Sequence, residues 1–229
     1  MDERSESMRG NPNLTIGEIL TMKPSIRKPS LSVTAQMAEQ LRRAFDGSAW
    51  HGPSMLELLE DVDAETAAAK PIPNVHSIWE LVLHTAVWDG AVRRRIGGQT
   101  TQPKGKKNFP PVPKSSSTAK QAAWRKTVSW LTRTHADLIR AVSALPEERL
   151  RDHVPGTRYD ISFMLHGVLQ HELYHAGQIA ILKKAHRRAS RVKDCQLEIE
   201  SLTGPCTSGR GTAASAVRFF PKHRLHGLQ

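Results

Sequence analysis

The stretch QHELYHAGQI, residues 170–179, contains two histidines and an acid at the spacing H-E-x-x-H. On a helix, His171 and His175 would lie one turn apart on the same face, at a separation that suits a shared metal ion. In zinc metalloproteases the same string supplies two metal ligands and a glutamate that activates water. The chemistry available here therefore depends on where a third ligand comes from.

The sequence around this motif predicts a helix that turns both histidines toward a core. Steps of three and four residues separate its inward positions, as in a helix of a packed bundle. These positions are Met164, Val168, His171, His175, Gln178 and Leu182. A buried neutral imidazole needs a partner for each of its nitrogens, and a metal ion would satisfy the acceptor nitrogen of both rings.

A third histidine lies in the middle of another apolar stripe, formed by Leu81, His84, Trp88 and Ala91. A single histidine on such a face is commonly a hydrogen-bonded core residue, but three at similar depth favour a metal site. We predict His84, His171 and His175 as metal ligands. Three neutral nitrogens leave a coordination position open for water, which is typical of catalytic sites. A metal there would activate a water or thiol nucleophile.

The peptidase alternative fits the residues less well. The form H-E-x-x-H-x-x-G-x-x-H would need Gly and His where this chain has Gln178 and Ile181. Glu172 is one residue off the predicted inward row, so we expect it to point away from a metal held by its neighbours. We therefore retain an H-E-x-x-H zinc peptidase only as a lesser alternative.

Several other residues are weaker candidates for the site. Glu172 and Tyr174 are the catalytic candidates, as groups that orient others around a metal-bound water. Most of the remaining histidines are expected to lie outside the site, and His135 is placed on the more polar side of its helix. The residues predicted to line a pocket are Trp50, His51, Trp88 and Gln178.

The elements that must position these residues are all helical. Periodicity predicts principal helices over about 33–46, 77–96, 118–143 and 161–185, with short helices after Ser54 and Asp63. Ser77 followed by Glu80 is a capping box that marks a helix start. We predict an all-α four-helix bundle over 31–185, a loosely ordered extension over 1–30, and a basic, disordered tail over 186–229.

Composition narrows the class of protein. The formal net charge is +11, and residues 183–229 contribute an excess of seven basic residues. This pattern favours a solvated, disordered tail over a nucleic-acid site, although clustered charge of this kind can bind polyanions weakly and non-specifically. The chain has two cysteines and no apolar stretch of about 18 residues. We expect a cytoplasmic protein without membrane association.

Three ordered segments resemble the DinB/YfiT-like family of metalloenzymes: WHGPSMLELL, HSIWELVLHTAVWD and LHGVLQHELYHAGQIAILKKA. The resemblance spans about residues 36–185. It implies a four-helix bundle in which three histidines, matching His84, His171 and His175, hold zinc or nickel. Some relatives are thiol-dependent transferases or isomerases that use a low-molecular-weight thiol, and dimers are common among them. Family members usually end soon after the ILKKA-like segment, whereas this chain continues.

Two further functional hypotheses accompany the resemblance. The leading one is a metal-dependent enzyme, a hydrolase or thiol S-transferase or isomerase, that acts on a small-molecule substrate, with a homodimer as the expected assembly. The alternative is a non-catalytic, stress-related (damage-inducible) binding module that uses its basic tail for polyanions. The residues alone leave both open.

Overall fold

Helices account for the regular structure of residues 31–114 and 116–203, the part of the chain that the computed structural model describes. The six α-helices of these ranges are α1 (Val33–Asp46), α2 (Met55–Leu59), α3 (Ala64–Ala68), α4 (Ile78–Ile96), α5 (Ser117–Ser143) and α6 (Ile161–Thr203). Two 3₁₀ turns, Gly105–Lys107 and Glu147–Arg151, lie in the connections. The predicted all-α class is confirmed. None of these helices combines the length and the hydropathy that a membrane span requires.

Local capping fixes where the helices start. The Ser77 hydroxyl accepts from the backbone N–H of Glu80, and the Glu80 carboxylate accepts from the backbone N–H of Ser77 at 2.7 Å. This reciprocal pair satisfies two N–H groups that a helix start leaves unpaired. Ser54 and Asp63 occupy the N-cap positions of α2 and α3 as predicted, with the Glu57 carboxylate accepting from the Ser54 backbone N–H and the Asp63 carboxylate accepting from the Thr66 backbone N–H. The start of α4, which carries His84, is therefore determined by sequence within a single turn.

The four long helices form a bundle in which each packs on two neighbours. The main contacts join α4 to α5, α1 to α5, α4 to α6 and α1 to α6. This pattern places α1 diagonally opposite α4, and α5 diagonally opposite α6. Because α4 and α6 are adjacent, residues 87 positions apart in the sequence can meet.

The interior consists of two apolar clusters. One contains Trp79 of α4 and Ile179 of α6, and the other contains Leu41 of α1, Leu138 of α5 and Leu165 of α6. All five side chains are at most 2 % exposed. Burial of such side chains is the dominant favourable term in folding. The two clusters hold α4 and α6 in fixed register, which the site requires.

The last helix was predicted to end near residue 185, but it continues to Thr203. No Gly or Pro interrupts residues 178–203, and many of these residues are good helix formers. Residues 191–198 are exposed, so this extension lacks the apolar periodicity from which the prediction was made. The prediction of a disordered tail is wrong for 186–203. Its remainder, 204–229, and the predicted extension over 1–30 lie outside the described residues.

Candidate metal centre

Two adjacent helices bring the three predicted histidines together. His84 comes from the middle of α4, and His171 and His175 come from successive turns of α6. The Nε2 atom of His171 is 3.0 Å from Nε2 of His84 and 3.0 Å from Nε2 of His175. His84 and His175 are each 6 % exposed. One ligand atom from each ring lies within 4.8 Å of the other two, so the group could hold a metal ion.

Hydrogen bonds fix the tautomers of two of these rings. Nδ1 of His84 is 2.9 Å from the backbone carbonyl oxygen of Asn108. Nδ1 of His175 is 2.7 Å from the side-chain oxygen of Gln178. Both oxygens can only accept, so each Nδ1 carries the proton and each Nε2 presents a lone pair. Metal-bound histidines typically show this arrangement, in which the outer nitrogen donates to a carbonyl or carboxylate.

The third ring differs from the other two. Nδ1 of His171 is buried and has no hydrogen-bond partner among the described residues. Its Nε2 faces the Nε2 lone pairs of His84 and His175. A proton on Nε2 of His171 could be donated to only one of these two nitrogens at a time. A cation between the three nitrogens would satisfy all of them. The donor set therefore fits a divalent ion with three imidazole ligands.

Burial keeps the three imidazoles neutral, as metal binding requires. Desolvation, followed by the proximity of His175 and His84, lowers the pKa of His171 to about 3. Desolvation is also the largest cause of the lowered pKa values of His84 and His175. At neutral pH the cluster is uncharged and its lone pairs are available.

The connection between α4 and α5 covers the cluster. The Phe109 ring stacks on the His84 ring at 4.0 Å, and the Asn108 side-chain oxygen accepts from the Trp88 indole at 2.8 Å. In the sequence this segment is only the connection between the helices predicted over 77–96 and 118–143. No sequence pattern marks Asn108 and Phe109 as part of the site, because their contacts depend on how the loop folds back over α4.

Beside the cluster lies a cavity of about 370 Å³. His84 and His171 line one end, and Trp88, Met164 and Val168 form part of its wall. A cavity of this size suits a small molecule. The three-histidine group is thus next to a space that a substrate could enter.

The structure separates the predicted pocket residues into two groups. Trp88 lines the cavity, and Gln178 bonds to His175. Trp50 is fully exposed and His51 is exposed as well, in the turn that joins α1 to α2. Gly52, with φ of 120°, directs the chain through this turn at the surface. The prediction that Trp50 and His51 line the pocket is therefore not supported.

The two catalytic candidates also occupy different places. Tyr174 is 65 % exposed, and its ring meets the His175 ring edge-on at 5.2 Å. Glu172 points away from the three Nε2 atoms, as predicted, but it is only 1 % exposed. The buried face of α6 is wider than one row, and Leu165, Glu172 and Ile179 form a second row inside the bundle. Glu172 is therefore a core residue.

Glu172 belongs to a buried polar layer with Asp89 of α4 and His135 of α5. Nδ1 of His135 is 3.1 Å from Asp89 Oδ2, and its Nε2 is 3.3 Å from the backbone oxygen of Leu41 in α1. The Glu172 oxygen, at 3.5 Å from the same Nδ1, is attracted to it without forming a hydrogen bond. This layer connects all four long helices.

Burial and mutual charge shift the pKa values in this layer. Desolvation raises the pKa of Glu172 to about 8 and also raises that of Asp89. For His135, desolvation acts to lower the pKa, but the hydrogen bond to Asp89 and the nearby acids outweigh it, so the pKa is raised. The layer therefore retains protons at neutral pH.

The sequence-based placement of His135 was wrong. Its side chain is 1 % exposed and its ring stacks on Phe45 at 4.0 Å. The available signal was its position in the row Leu131, His135, Leu138 and Val142, which are all buried. The polar residues between these positions obscured the row.

Comparison with known proteins agrees with the geometry. The sequence model of the DinB superfamily matches residues 49–179, more than half of the chain and all three clustered histidines. No curated protein and no solved structure matches the chain. Because this match covers more than half of the chain, the chain belongs to the DinB superfamily.

Proposed function

We propose that this protein is a metal-dependent enzyme in which His84, His171 and His175 bind one divalent ion through Nε2. The observation that carries the proposal is the convergence of three Nε2 atoms, with His84 and His175 held by Asn108 and Gln178 in the tautomer that presents a lone pair inward. When bound, the ion would supply Lewis acidity toward a water, thiol or carbonyl group.

The surroundings support a catalytic site over a purely structural one. Structural zinc sites close the coordination sphere with four protein ligands, whereas this cluster offers three. Its accessible side meets the cavity lined by Trp88 and Met164. In this arrangement Asn108 and Gln178 orient the ligands, Phe109 shields the His84 ring, and the cavity wall excludes bulk water from a small substrate.

The geometry does not favour the peptidase alternative. A peptidase of this type needs its glutamate beside the metal-bound water. The Glu172 carboxyl lies instead against His135 in the bundle interior, with both oxygens buried. The polyanion-binding alternative depends on a basic tail of which residues 204–229 lie outside the described residues, and no contact of the described part favours it.

Metal analysis of purified variants tests the proposal. Wild-type protein is expected to bind about one divalent ion per chain, and His84→Ala and His171→Ala should each lose most of it. His166→Ala is the matched control, since His166 is an exposed histidine on the same helix. Wild-type metal content in both cluster variants would overturn the proposed site.

The proposal extends to the identity of the metal and of a co-substrate. Imidazole donors suit zinc and nickel, which we propose as the ions, with a low-molecular-weight thiol as nucleophile. Zinc- and nickel-loaded protein can be assayed for transfer of a thiol to an electrophile. Activity that persists in His171→Ala would show that the cluster does not support the reaction.

A further inference from the structure

Arg95 is a buried cation without an acidic partner. Its side chain is on α4, eleven residues after His84, and only 5 % is exposed. Nε donates to the backbone oxygen of Thr101 at 2.7 Å and Nη1 donates to the Tyr159 hydroxyl at 2.8 Å. Among the side chains that the structure describes, no carboxylate pairs with this guanidinium.

This arrangement leaves the charge incompletely compensated. Removing an ion from water is unfavourable, and proteins normally offset that cost with an opposite charge. Here the compensating groups are a carbonyl, a hydroxyl and the Trp88 ring, whose centre is 5.5 Å from the guanidinium carbon. Nη2 makes no hydrogen bond to a described residue. The guanidinium thus retains capacity for an anion.

Arg95 faces the same cavity as the three-histidine cluster. Arg95 and Tyr159 line one part of it, and His84 and His171 line another. The Trp88 ring lies between them, since its centre is also 5.9 Å from the centre of the His171 ring. The Tyr159 hydroxyl accepts from Arg95, so its own proton is available to a second acceptor.

We propose that Arg95 and Tyr159 bind the carboxylate of a small-molecule substrate whose reactive group lies at the three-histidine cluster. This inference rests on the proposed function, because it specifies the substrate class of the same site. Arg95 contributes N–H groups of its fork and Tyr159 contributes its hydroxyl proton. The body of the substrate lies along Trp88 and Val168.

Three observations define the class of ligand: a carboxylate, of small size, on an apolar body. Arg95 supplies one positive charge at this end of the cavity, which matches a monoanion, and its planar fork suits a carboxylate. The volume of about 370 Å³ limits the ligand to a small molecule. Apolar side chains, including Val92, Met164 and Val168, form much of the wall, so the body between the two ends is expected to be apolar or aromatic.

Paired probes test the proposal on the metal-loaded, full-length protein. Benzoate, 3-phenylpropanoate and 4-phenylbutanoate are compared with their uncharged amides by calorimetry or ligand-observed NMR. At least one acid is expected to bind about tenfold or more tightly than its amide, because a charge-assisted pair is replaced by a neutral contact. Arg95→Met should reduce this ratio to near one, and Tyr159→Phe should reduce it by a smaller factor.

Arg93→Met is the matched control, since it removes the same charge from an exposed position on the same helix and should leave the ratio unchanged. Absence of binding by every acid, or equal binding of acid and amide by the wild type, would overturn the proposal without requiring a variant. A preference that persists in Arg95→Met and disappears in His171→Ala would place the carboxylate on the metal and also overturn it.

The metal content of each protein separates this inference from the proposed function. If wild type and Arg95→Met bind metal equally but no acid is preferred, the carboxylate site is wrong and the metal site stands. If wild type binds no metal yet prefers acids in an Arg95-dependent manner, the anion site stands and the metal-dependent function fails.

Discussion

Replacing Gln178 with leucine is expected to weaken metal binding by about 10- to 100-fold while the fold is retained. The side-chain oxygen of Gln178 is 2.7 Å from Nδ1 of His175 and holds the proton there. In Gln178→Leu this N–H loses its acceptor, and water does not readily replace it because His175 is only 6 % exposed. The ring can then move its proton to Nε2, and metal binding must reverse that change.

The magnitude follows from the burial of the donor. A buried N–H without an acceptor costs about 1–3 kcal/mol, and a change of about 1.4 kcal/mol corresponds to a factor of ten in affinity. Most of this cost falls on the metal-bound state, because the metal-free ring can change tautomer. The resulting loss is therefore about tenfold or more, well above the error of a competition titration.

The assay is a competition for zinc between the protein and a chromophoric chelator at neutral pH. Gln178→Glu is the matched variant, because its carboxylate keeps an acceptor at the same position and strengthens the bond to Nδ1–H. We expect Gln178→Glu to bind zinc at least as tightly as the wild type. Wild-type affinity in Gln178→Leu, or weaker binding by Gln178→Glu than by Gln178→Leu, would refute the assigned tautomer.

Three further variants test the polar layer and a helix start. His135→Leu should lower the free energy of unfolding in urea by about 3–5 kcal/mol, because it removes the hydrogen-bonded ionic partner of the buried Asp89 carboxyl; a change below about 1 kcal/mol would contradict this. Glu172→Gln should keep metal binding close to wild type, since the carboxyl faces His135, and loss of the metal would show that Glu172 supports the site directly. In metal-free protein the pKa of Glu172, raised from 4.5 to about 8, means that folding takes up a proton between these pH values, so this group's contribution to stability falls as pH rises through that window. Unfolding of Glu172→Gln should accordingly depend less on pH from about 5 to 8 than that of the wild type, and equal slopes would exclude the shift. Ser77→Ala should cost about 1 kcal/mol by removing one half of the α4 capping box, as measured by thermal or urea unfolding, and an unchanged midpoint would count against the cap.

Short-range patterns account for the parts of the fold that were predicted correctly. The bounds of α1, the start of α4 at the Ser77 box and the end of α4 near Gly97 all depend on residues within one or two turns. Helix capping and glycine preferences act over this same distance, so the sequence reveals them directly. The exposed continuation of α6 escaped prediction because it has helix-forming residues without an apolar face.

The polar layer shows where one-dimensional patterns fail. His135 and Glu172 were placed outside the inward rows, yet both are 1 % exposed. A helix in the interior of a bundle buries a face wider than a single row, because it contacts two neighbours at once. Which positions belong to the wider face depends on the directions of those neighbours, and periodicity within one helix does not contain that information.

The sequence by itself determined that the chain is helical and that His84, His171 and His175 lie on inward faces, because periodicity records which side of a helix is buried. Only the tertiary structure decided that α4 and α6 are adjacent, so that the three Nε2 atoms converge across 87 residues of sequence. The tertiary structure also places the Asn108 carbonyl oxygen against Nδ1 of His84, and it buries Arg95 without a carboxylate partner among the described residues. Such long-range contacts depend on how the helices pack against one another. That packing is determined by the burial of apolar side chains from all of the helices together.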